Sequence, residues 1–383
     1  MLLLDITDST CSCTNTALNS LYKSIYDNPA ESDGGVIVHE NPFISSHIED
    51  ISHSFSRILE KIFSSIENFI TISPGKKPEN LAKAIGWTRF TQDEFAAIEK
   101  HLNKKHPDQF TIDDWMMLVD LIIHRYLPRD VINSQSEYMA VRSVIAGKVQ
   151  QQMSGIDVGP KTIKTAIDSL PNTVTGAVSY GLSEVDEVVI RSAMARTAMD
   201  IVDIGEKARS RIKKIIVDHE IAKAYSDPKA TQWNLQQKML DELGVLNKDW
   251  RRIAATETTE NANTGFIASL EPGDRVKRIE AYEGACSFCK HINGRIFTVV
   301  SPSKEDKNGQ TEVWVGKTNI GRSPSPRKRI GDELVDRLES EMWWPAAGVQ
   351  HPNCRGGWIK MIEKPDNVSQ EFVDKLDQLL DKM

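Results

Sequence analysis

Four residues near the C-terminus have the types and the spacing of a metal site. Cys286 and Cys289 are separated by two residues, and so are His351 and Cys354. Three thiolates and one imidazole are donors that a closed tetrahedral zinc site uses, and such a site takes four ligands. The two segments therefore predict a structural zinc ion held by Cys286, Cys289, His351 and Cys354.

Two features leave this assignment open. His291 lies two residues after Cys289 and competes with His351 as the nitrogen ligand. We favour His351 because it gives the second half-site a local chelate comparable with the first, whereas His291 is expected to support the site or lie at the surface. Alternatively, the thiols and the imidazole pack together without metal and form hydrogen bonds in a reducing environment. Asn293-Gly294 favours a tight turn after the first cysteine pair.

The same four ligands argue against a catalytic metal. A hydrolytic zinc needs an open coordination position and a nearby general base, whereas four protein ligands close the coordination sphere. Glu257 and Glu283 could supply carboxylates, but both are expected to be solvated charges. The sequence shows no phosphate-binding Gly-rich loop and no nucleophile elbow. We therefore expect a structural protein and not an enzyme.

Composition narrows the classes of function. The chain has 383 residues, 40% of them hydrophobic, and a formal net charge of −7, which suits a globular protein of two or three domains. This acidic balance argues against a dedicated nucleic-acid coat protein, which needs excess positive charge. The first residues lack the basic region of a signal peptide, and no apolar run is long enough to span a membrane. The odd number of cysteines indicates reduced thiols in a cytosol.

The N-terminal half is predicted to be an arm followed by helices. Residues 1–45 are rich in Ser, Thr, Asn and Asp and predict an extended arm. Residues 46–180 predict an N-terminal helical region. Its first helix carries apolar residues at three- and four-residue steps, and Ser46 with Glu49 predicts the capping box of that helix.

Long helices are predicted in residues 181–270. Residues 183–225 have the pattern of one nearly continuous helix, which suggests a long hairpin arm or a bundle helix. Residues 231–243 predict another helix that ends at Gly244, after which Asn247 caps a third.

Residues 271–365 predict a small mixed α/β module that carries the ligands. Strand-like segments at 295–300 and 311–315 flank a polar turn at 308–309, which predicts a β-hairpin. Residues 366–383 predict a C-terminal helix. The fold class is therefore mainly α, with multi-helix N-terminal and central regions, long helices, and a small C-terminal α/β module containing a β-hairpin and a candidate zinc knuckle.

Three ordered motifs lie within residues 185–362. They are Arg252-Ile-Ala-Ala-Thr256-Glu257-Thr258, then Cys286-x2-Cys289 with Gly294 and Phe297, and last His351-Pro-Asn-Cys354-Arg355. Together they resemble the phage Mu F-like minor head protein family, also called phage head morphogenesis proteins. The ordered set is more specific than any single motif. The first 180 residues carry no recognisable part of the pattern.

The chain departs from the family pattern in two places. The link from the knuckle to the closing motif is expanded by residues 316–342, and Gly356-Gly357 follows the closing motif where another cysteine is common. The expansion leaves the pairing of the two half-sites open. The missing cysteine removes one alternative ligand.

The resemblance implies a protein present in few copies within the head of a tailed phage. Its implied partners are the portal protein and the major capsid or scaffold protein, and its implied location is the virion, or the host cytoplasm during assembly. The implied role is head morphogenesis, with DNA packaging or ejection as a further possibility. No membrane contact is expected. A structural zinc would stabilise the small module because its binding energy becomes folding energy.

Two other classes of function are weighed against this one. An HNH-like metal-dependent nuclease is suggested by the proximity of His351 and Asn353, but the chain lacks the adjacent His-His or Asp-His pair that should precede them. The other is an adaptor unrelated to phage, which would use its helices for protein contacts and zinc as a staple. Neighbouring genes for a portal and a large terminase would separate the adaptor from the head protein.

A basic segment lies inside the expanded link. It offers a local contact with packaged DNA or with an acidic portal surface, although such a run is usually a solvated loop. Its cationic residues are Arg322, Arg327, Lys328 and Arg329. The following Trp343-Trp344 pair is expected to cover the core of the module and not to stack on bases.

Overall fold

A computed structural model describes most of the chain. The described residues are 42–71, 92–152, 160–280, 282, 284–319, 323, 325 and 327–361. Residues 1–41 of the predicted arm, the predicted helix at 366–383, Arg322 and Glu283 lie outside them. Within the described part the fold is mainly helical with a small C-terminal sheet region, which confirms the predicted fold class.

Helices make up the N-terminal and central parts of the described chain. In order they are α1 Pro42–Thr71, α2 Gln92–Leu102, α3 Ile112–Tyr126, α4 Arg129–Gln152, α5 Pro160–Ser169, α6 Val174–Ala177, α7 Glu184–Ala224, α8 Gln232–Ala268 and α9 Ser287–Ile292. Short 3-10 turns occur at Pro107–Gln109, Val178–Tyr180 and Glu339–Glu341. A search of the described helices for one apolar and long enough to cross a bilayer found none.

Local capping signals locate several helix starts. The Thr111 side chain accepts from the Asp114 N–H and the Asp114 carboxylate accepts from the Thr111 N–H, and these two reciprocal hydrogen bonds form the capping box of α3. Helix α7 begins after Ser183, as predicted, and runs for 41 residues. At 1.5 Å per residue it is about 60 Å long.

The predicted start of α1 is wrong. The helix begins at Pro42, so Ser46 and Glu49 lie inside it and do not form its capping box. The additional turn is held by packing, because Phe43 and Ile44 are buried in an apolar cluster with α4, α5 and α7. Proline is also favoured in the first turn of a helix, where its missing N–H costs nothing.

The predicted break in α8 is also wrong. Gln232–Ala268 is one helix of 37 residues, capped by Thr231, and it passes through Gly244 and Asn247 without interruption. Glycine costs about 1 kcal/mol in a helix interior relative to alanine. Here the neighbouring Leu243 and Leu246 are both buried in the main core, so tertiary packing outweighs that cost.

Helices α7 and α8 form a long antiparallel hairpin at the centre of the helical region. Helix α8 packs against α1, α4 and α7, and α7 also packs against α3 and α4. The α4–α8 crossing is close enough to exclude larger side chains: a Cβ on Gly147 would lie 1.9 Å from the Ala262 carbonyl oxygen, and one on Gly265 would lie 2.3 Å from that of Val144. The long hairpin is therefore held rigidly over this crossing.

The C-terminal module is built on a four-stranded sheet with the order β3-β2-β1-β6. Its strands are β1 Arg275–Ile279, β2 Ile296–Val299, β3 Glu312–Val313 and β6 Gly357–Lys360, and a separate ribbon pairs β4 Arg327–Ile330 with β5 Glu333–Asp336. Strand β1 is antiparallel to both β2 and β6. One face of the sheet packs on the end of α8 through Phe266, Phe297 and Trp358.

The predicted hairpin between residues 295–300 and 311–315 is wrong. Strands β2 and β3 pair in parallel, so the intervening chain crosses over instead of turning back. Gly309 is buried against Trp344, and the Lys317 ammonium donates to the carbonyl oxygens of Gly309 and Glu312, which anchors this crossover. The parallel arrangement follows from these tertiary contacts, which the turn residues alone do not encode.

A true hairpin instead lies in the expanded link. Strands β4 and β5 are antiparallel and join at Gly331, whose φ of +61° is in the region that favours glycine. The basic residues of β4 already have acidic neighbours: Arg327 lies 3.2 Å from Asp336, and Lys328 lies 2.6 Å from Glu341. Residues 327–329 of the basic segment therefore lie in a β-strand and not in a loop.

Candidate metal centre

Helix α9 positions the first cysteine pair. Cys286 is its N-cap, and the Cys286 sulfur accepts a hydrogen bond of 3.4 Å from the Cys289 N–H. The helix ends at Asn293, and Gly294 has a φ of +81°, so the predicted tight turn is present. The Asn293 side chain accepts from the Glu280 N–H at 2.8 Å, which ties the turn to the end of β1.

The closing motif forms a turn that leads into β6. The Cys354 N–H donates to the His351 carbonyl at 3.1 Å, and Asn353 adopts a φ of +65°, which asparagine tolerates better than most residues. Because β6 pairs with β1 from Gly357 onward, this turn is brought to the same sheet end as α9.

One face of α8 binds the closing segment. The Thr256 hydroxyl accepts from the Asn353 N–H at 2.8 Å, and the Glu260 carboxylate accepts from the Val349 N–H at 2.6 Å. One helical turn later, the Asn263 amide donates to the Gly356 carbonyl at 2.8 Å. Positions spaced by four and three residues share a helix face, so α8 is a continuous platform for the closing motif.

The predicted ligands meet in two overlapping groups. The donor atoms of Cys286, Cys289 and His351 lie within 4.8 Å of one another, and so do those of Glu280, Cys289 and Cys354. The His351 Nε2 atom is 3.2 Å from the Cys286 sulfur and 3.3 Å from that of Cys289, and the Cys289 and Cys354 sulfurs are 3.9 Å apart. Donors on a tetrahedral zinc are separated by about 3.4 to 3.8 Å, given metal–ligand bonds of about 2.0 to 2.3 Å.

These five residues therefore lie close enough together to hold a metal ion, and their donor types are compatible with zinc. His351 is the imidazole beside the thiols. His291 is exposed on α9 and is not part of either group. Of the two histidines considered from the sequence, His351 is therefore the one whose ring lies beside the thiols.

A buried ion pair beside Cys354 was missed by the sequence analysis. Arg278 and Glu280 are both fully buried, and the Arg278 Nε atom lies 2.8 Å from the Glu280 carboxylate. The guanidinium also donates to the Gly348 carbonyl and lies over the Trp358 ring. Charged residues at the end of a strand are usually solvent-exposed, so neither residue type nor spacing could have indicated this pair.

This ion pair borders the sulfur cluster. The Cys354 sulfur lies 3.6 Å from one Glu280 carboxylate oxygen and 3.8 Å from the Arg278 guanidinium. Gly356 makes the approach possible, because a Cβ there would lie 2.1 Å from the Glu280 carboxyl carbon. A glycine at position 356 is therefore required by the buried carboxylate.

The sulfur atoms are electrostatically unequal. A hydrogen bond from the Cys289 thiol lowers the pKa of Cys354, and the Arg278 guanidinium acts in the same direction against the effect of burial. The same hydrogen bond, together with burial, raises the pKa of Cys289. Burial raises the pKa of Glu280, opposed by Arg278. Of Cys289 and Cys354, Cys354 is therefore the one that more readily takes the thiolate form, which is the form that binds metals.

No match was found among protein-family models, curated proteins or solved structures. Cys289 belongs to both groups of candidate ligands and therefore links Cys286 and His351 on one side to Cys354 and Glu280 on the other.

The expectation that Glu257 is a solvated charge is wrong. Its side chain is largely buried, and its carboxylate accepts from the Arg196 guanidinium at 3.3 Å. Burial raises the pKa of Glu257 to about 7, while Arg196 opposes the shift. Glu257 pairs with α7 and belongs to neither group of candidate metal ligands.

Proposed function

We propose that this protein is a minor head protein of a tailed phage that acts in head morphogenesis, and that a zinc ion on Cys286, Cys289, His351 and Cys354 stabilises its C-terminal module. The observation that carries the proposal is the meeting of the three ordered motifs. Thr256 of the first motif holds Asn353 of the third, while His351 of the third lies beside the cysteines of the second.

The convergence gives the resemblance a physical rationale. Three motifs that are remote in sequence form one junction between the long hairpin and the sheet, so each motif depends on the other two. Zinc at this junction would join α9 to the closing turn, and its binding energy would add to the stability of a module with a small core of its own. The proposed role of the metal is structural and not catalytic.

The α7–α8 hairpin supplies a surface for the proposed partners, the portal protein and the major capsid or scaffold protein. Its tip exposes two large aromatic side chains, Tyr225 at 84% and Trp233 at 71%. Aromatic residues with one polar atom are frequent in protein interfaces. The tip lies about 35 Å along α8 from the Thr256 contact, so docking there would leave the metal junction undisturbed.

Local contact with packaged DNA belongs to the same proposal. The β4–β5 ribbon presents Arg327, Lys328 and Arg329, with Arg322 preceding it in the sequence. Because Asp336 and Glu341 neutralise part of this charge, we expect weak and salt-sensitive contact and not specific binding.

Metal analysis of the purified full-length protein tests the zinc component. We expect about one zinc per chain for the wild type and for His291→Ala, whose side chain is exposed and outside the cluster. Cys286→Ser and Cys354→Ser should lower both zinc content and melting temperature. Stoichiometric zinc in Cys354→Ser, or no zinc in the wild type, would contradict the proposed ligand set.

Co-expression tests the assembly component. The gene next to this one should encode a portal protein or another head protein, and the two products should co-purify as a complex. Replacing Trp233 and Tyr225 with serine should weaken that complex, with the zinc content unchanged. Incubation with plasmid DNA and a divalent metal should leave the DNA intact, and cleavage would instead support the nuclease alternative.

A further inference from the structure

Two buried thiols lie side by side where the closing motif meets α9. The Cys289 and Cys354 sulfurs are 3.9 Å apart, and the two side chains are 0% and 1% exposed. They share a small buried cluster with Ala285. The sulfurs of a disulfide are about 2.0 Å apart, so this pair must approach by about 2 Å to form one. The fold therefore brings together two thiols that a disulfide can join.

The third thiol of the site is held by other contacts. Cys286 is the N-cap of α9, and its sulfur accepts from the Cys289 N–H at 3.4 Å and lies 3.2 Å from the His351 Nε2 atom. The Cys-x2-Cys spacing alone would favour a disulfide between Cys286 and Cys289, since that spacing is common in redox proteins. A Cys289–Cys354 disulfide instead leaves Cys286 in place as the cap of the helix. The contacts therefore favour this second pairing.

The three sulfurs differ in their access to solvent. Cys286 is half-buried, whereas Cys289 and Cys354 are buried, so a small oxidant in solvent reaches Cys286 first. The Cys286 and Cys289 sulfurs belong to one group of donors within 4.8 Å of one another, and the Cys289 and Cys354 sulfurs belong to the other. Because Cys289 is shared, oxidation that begins at the accessible thiol can pass inward to the buried pair.

We propose that Cys289 and Cys354 form a disulfide when the metal-free chain meets a peroxide, and that oxidation enters through Cys286. Hydrogen peroxide oxidises the Cys286 thiol to a sulfenic acid and is itself reduced to water. The Cys289 thiol then displaces the sulfenic hydroxyl, which leaves as a second water, and a Cys286–Cys289 disulfide forms. Finally, the Cys354 sulfur attacks the Cys289 sulfur, and Cys286 leaves as a thiol that takes up the Cys354 proton. In sum, two thiols and one peroxide give one disulfide and two waters.

The disulfide would link the same two segments as the proposed zinc. It joins α9 to the closing turn across 65 positions, and a cross-link over a long loop restricts the unfolded chain and stabilises the folded one. The pairing itself requires neither zinc nor a role in phage assembly. Only its use as a substitute for zinc rests on the proposed function.

Oxidation of the full chain after metal removal tests the pairing. The protein is treated with a chelator and then with a stoichiometric amount of hydrogen peroxide. The remaining thiols are alkylated, and peptide mapping by tandem mass spectrometry identifies the linked cysteines. We expect a Cys289–Cys354 disulfide as the main product, with the alkyl group on Cys286. A Cys286–Cys289 disulfide as the final product, or no disulfide among these cysteines, overturns the proposal.

Single substitutions test the route of oxidation. Cys286→Ser removes the accessible sulfur of the three, so the Cys289–Cys354 disulfide should form at least tenfold more slowly than in the wild type. Cys354→Ser should stop at the Cys286–Cys289 disulfide. Cys13→Ser is the matched control because it removes a cysteine far from the other three in the sequence, and it should oxidise at the wild-type rate. An undiminished rate in folded Cys286→Ser, or an equal loss of rate in Cys13→Ser, overturns the proposed route.

Zinc distinguishes this proposal from the proposed function. Zinc added before the peroxide should slow disulfide formation at least tenfold, because it would occupy the same sulfurs. If the chain binds no zinc, this protection is absent but the disulfide still forms, so the two proposals fail separately. The oxidised metal-free chain should also melt at a higher temperature than the same chain reduced with dithiothreitol. An equal or lower melting temperature would contradict the disulfide as a stabilising link.

Discussion

The Thr256 hydroxyl of α8 accepts a hydrogen bond of 2.8 Å from the main-chain N–H of Asn353, which lies 97 residues further along the chain. The same hydroxyl donates to the Arg252 carbonyl within the helix at 2.8 Å. One side chain therefore links the long hairpin to the closing turn without any charge. This contact orients His351 and Cys354 relative to the helical region.

Replacing Thr256 with valine removes the long-range bond. We expect a loss of about 1 kcal/mol in the free energy of unfolding, together with weaker zinc binding, because a main-chain N–H loses its partner. Thr165→Val is the matched control, since the Thr165 hydroxyl donates only to Lys161 in its own helix. Urea unfolding of both variants measures the difference. Equal losses would show that the contact with Asn353 contributes nothing.

The buried Arg278–Glu280 pair should be sensitive to the loss of one partner. Arg278→Met leaves an uncompensated carboxylate at a fully buried position, and we expect a loss of about 3 to 5 kcal/mol. Adding Glu280→Gln should recover part of this loss because the remaining charge is removed. Urea unfolding of the two single variants and the double variant gives the coupling energy. A coupling energy near zero would contradict a direct interaction between the two side chains.

Two glycine-to-alanine substitutions should have opposite effects. Gly356→Ala places a methyl group 2.1 Å from the Glu280 carboxyl carbon, so we expect marked destabilisation, about 2 kcal/mol or more, and a lower zinc content. Gly244→Ala places a methyl group where nothing lies within 4 Å, inside α8, and should stabilise the protein by up to about 1 kcal/mol. Thermal unfolding measures both. Destabilisation by Gly244→Ala would contradict the uninterrupted helix.

His47 should make the protein sensitive to acid. Burial, together with nearby Arg142, lowers the pKa of His47 to about 3, and its ring lies 3.4 Å from the Ser143 hydroxyl. Because the folded-state pKa is below the ordinary value of about 6.5, the neutral ring contributes stability that is present above pH 6.5 and is lost as the pH falls. The loss is at most about 5 kcal/mol near pH 3.

Comparing His47→Gln with the wild type isolates the effect of His47 protonation on stability. The variant should be less stable than the wild type at pH 7 but should lose less stability between pH 7 and pH 4, as measured by urea unfolding. His291→Gln, at an exposed position, should follow the wild-type pH dependence. Parallel pH profiles of His47→Gln and the wild type would show that another group controls acid unfolding.

The features that were predicted correctly from the sequence are those determined by contacts between residues close together in the chain. Thr111 and Ser183 cap their helices through their own side chains. Gly294 forms the tight turn through its own backbone conformation, with a φ of +81°. The choice of His351 over His291 also followed from short-range spacing, and the geometry agrees with it. In each case the residues that carry the information are within a few positions of one another.

The wrong predictions concern features that depend on packing between residues distant in the sequence. Glycine is a typical residue at the end of a helix, but α8 continues through Gly244 because leucines on both sides of it are buried in the core. Residues 308–309 are of the types found in hairpin turns. However, the contacts of Gly309 with Trp344 and Lys317 anchor a crossover, and β3 therefore pairs in parallel with β2. Arg278 is buried only because Glu280, Gly348 and Trp358 surround it, and none of these contacts is visible in strand composition.

The sheet order has a consequence for biosynthesis. Strand β1 lies between β2, which follows it closely, and β6, which is the last described strand of the chain. A nascent chain can therefore assemble its long hairpin while still being translated, but β1 stays open on one side until Trp358 has left the ribosome. We infer that this lobe completes its folding only near the end of translation and that a polypeptide released before that point exposes unpaired backbone and free thiols to the cell.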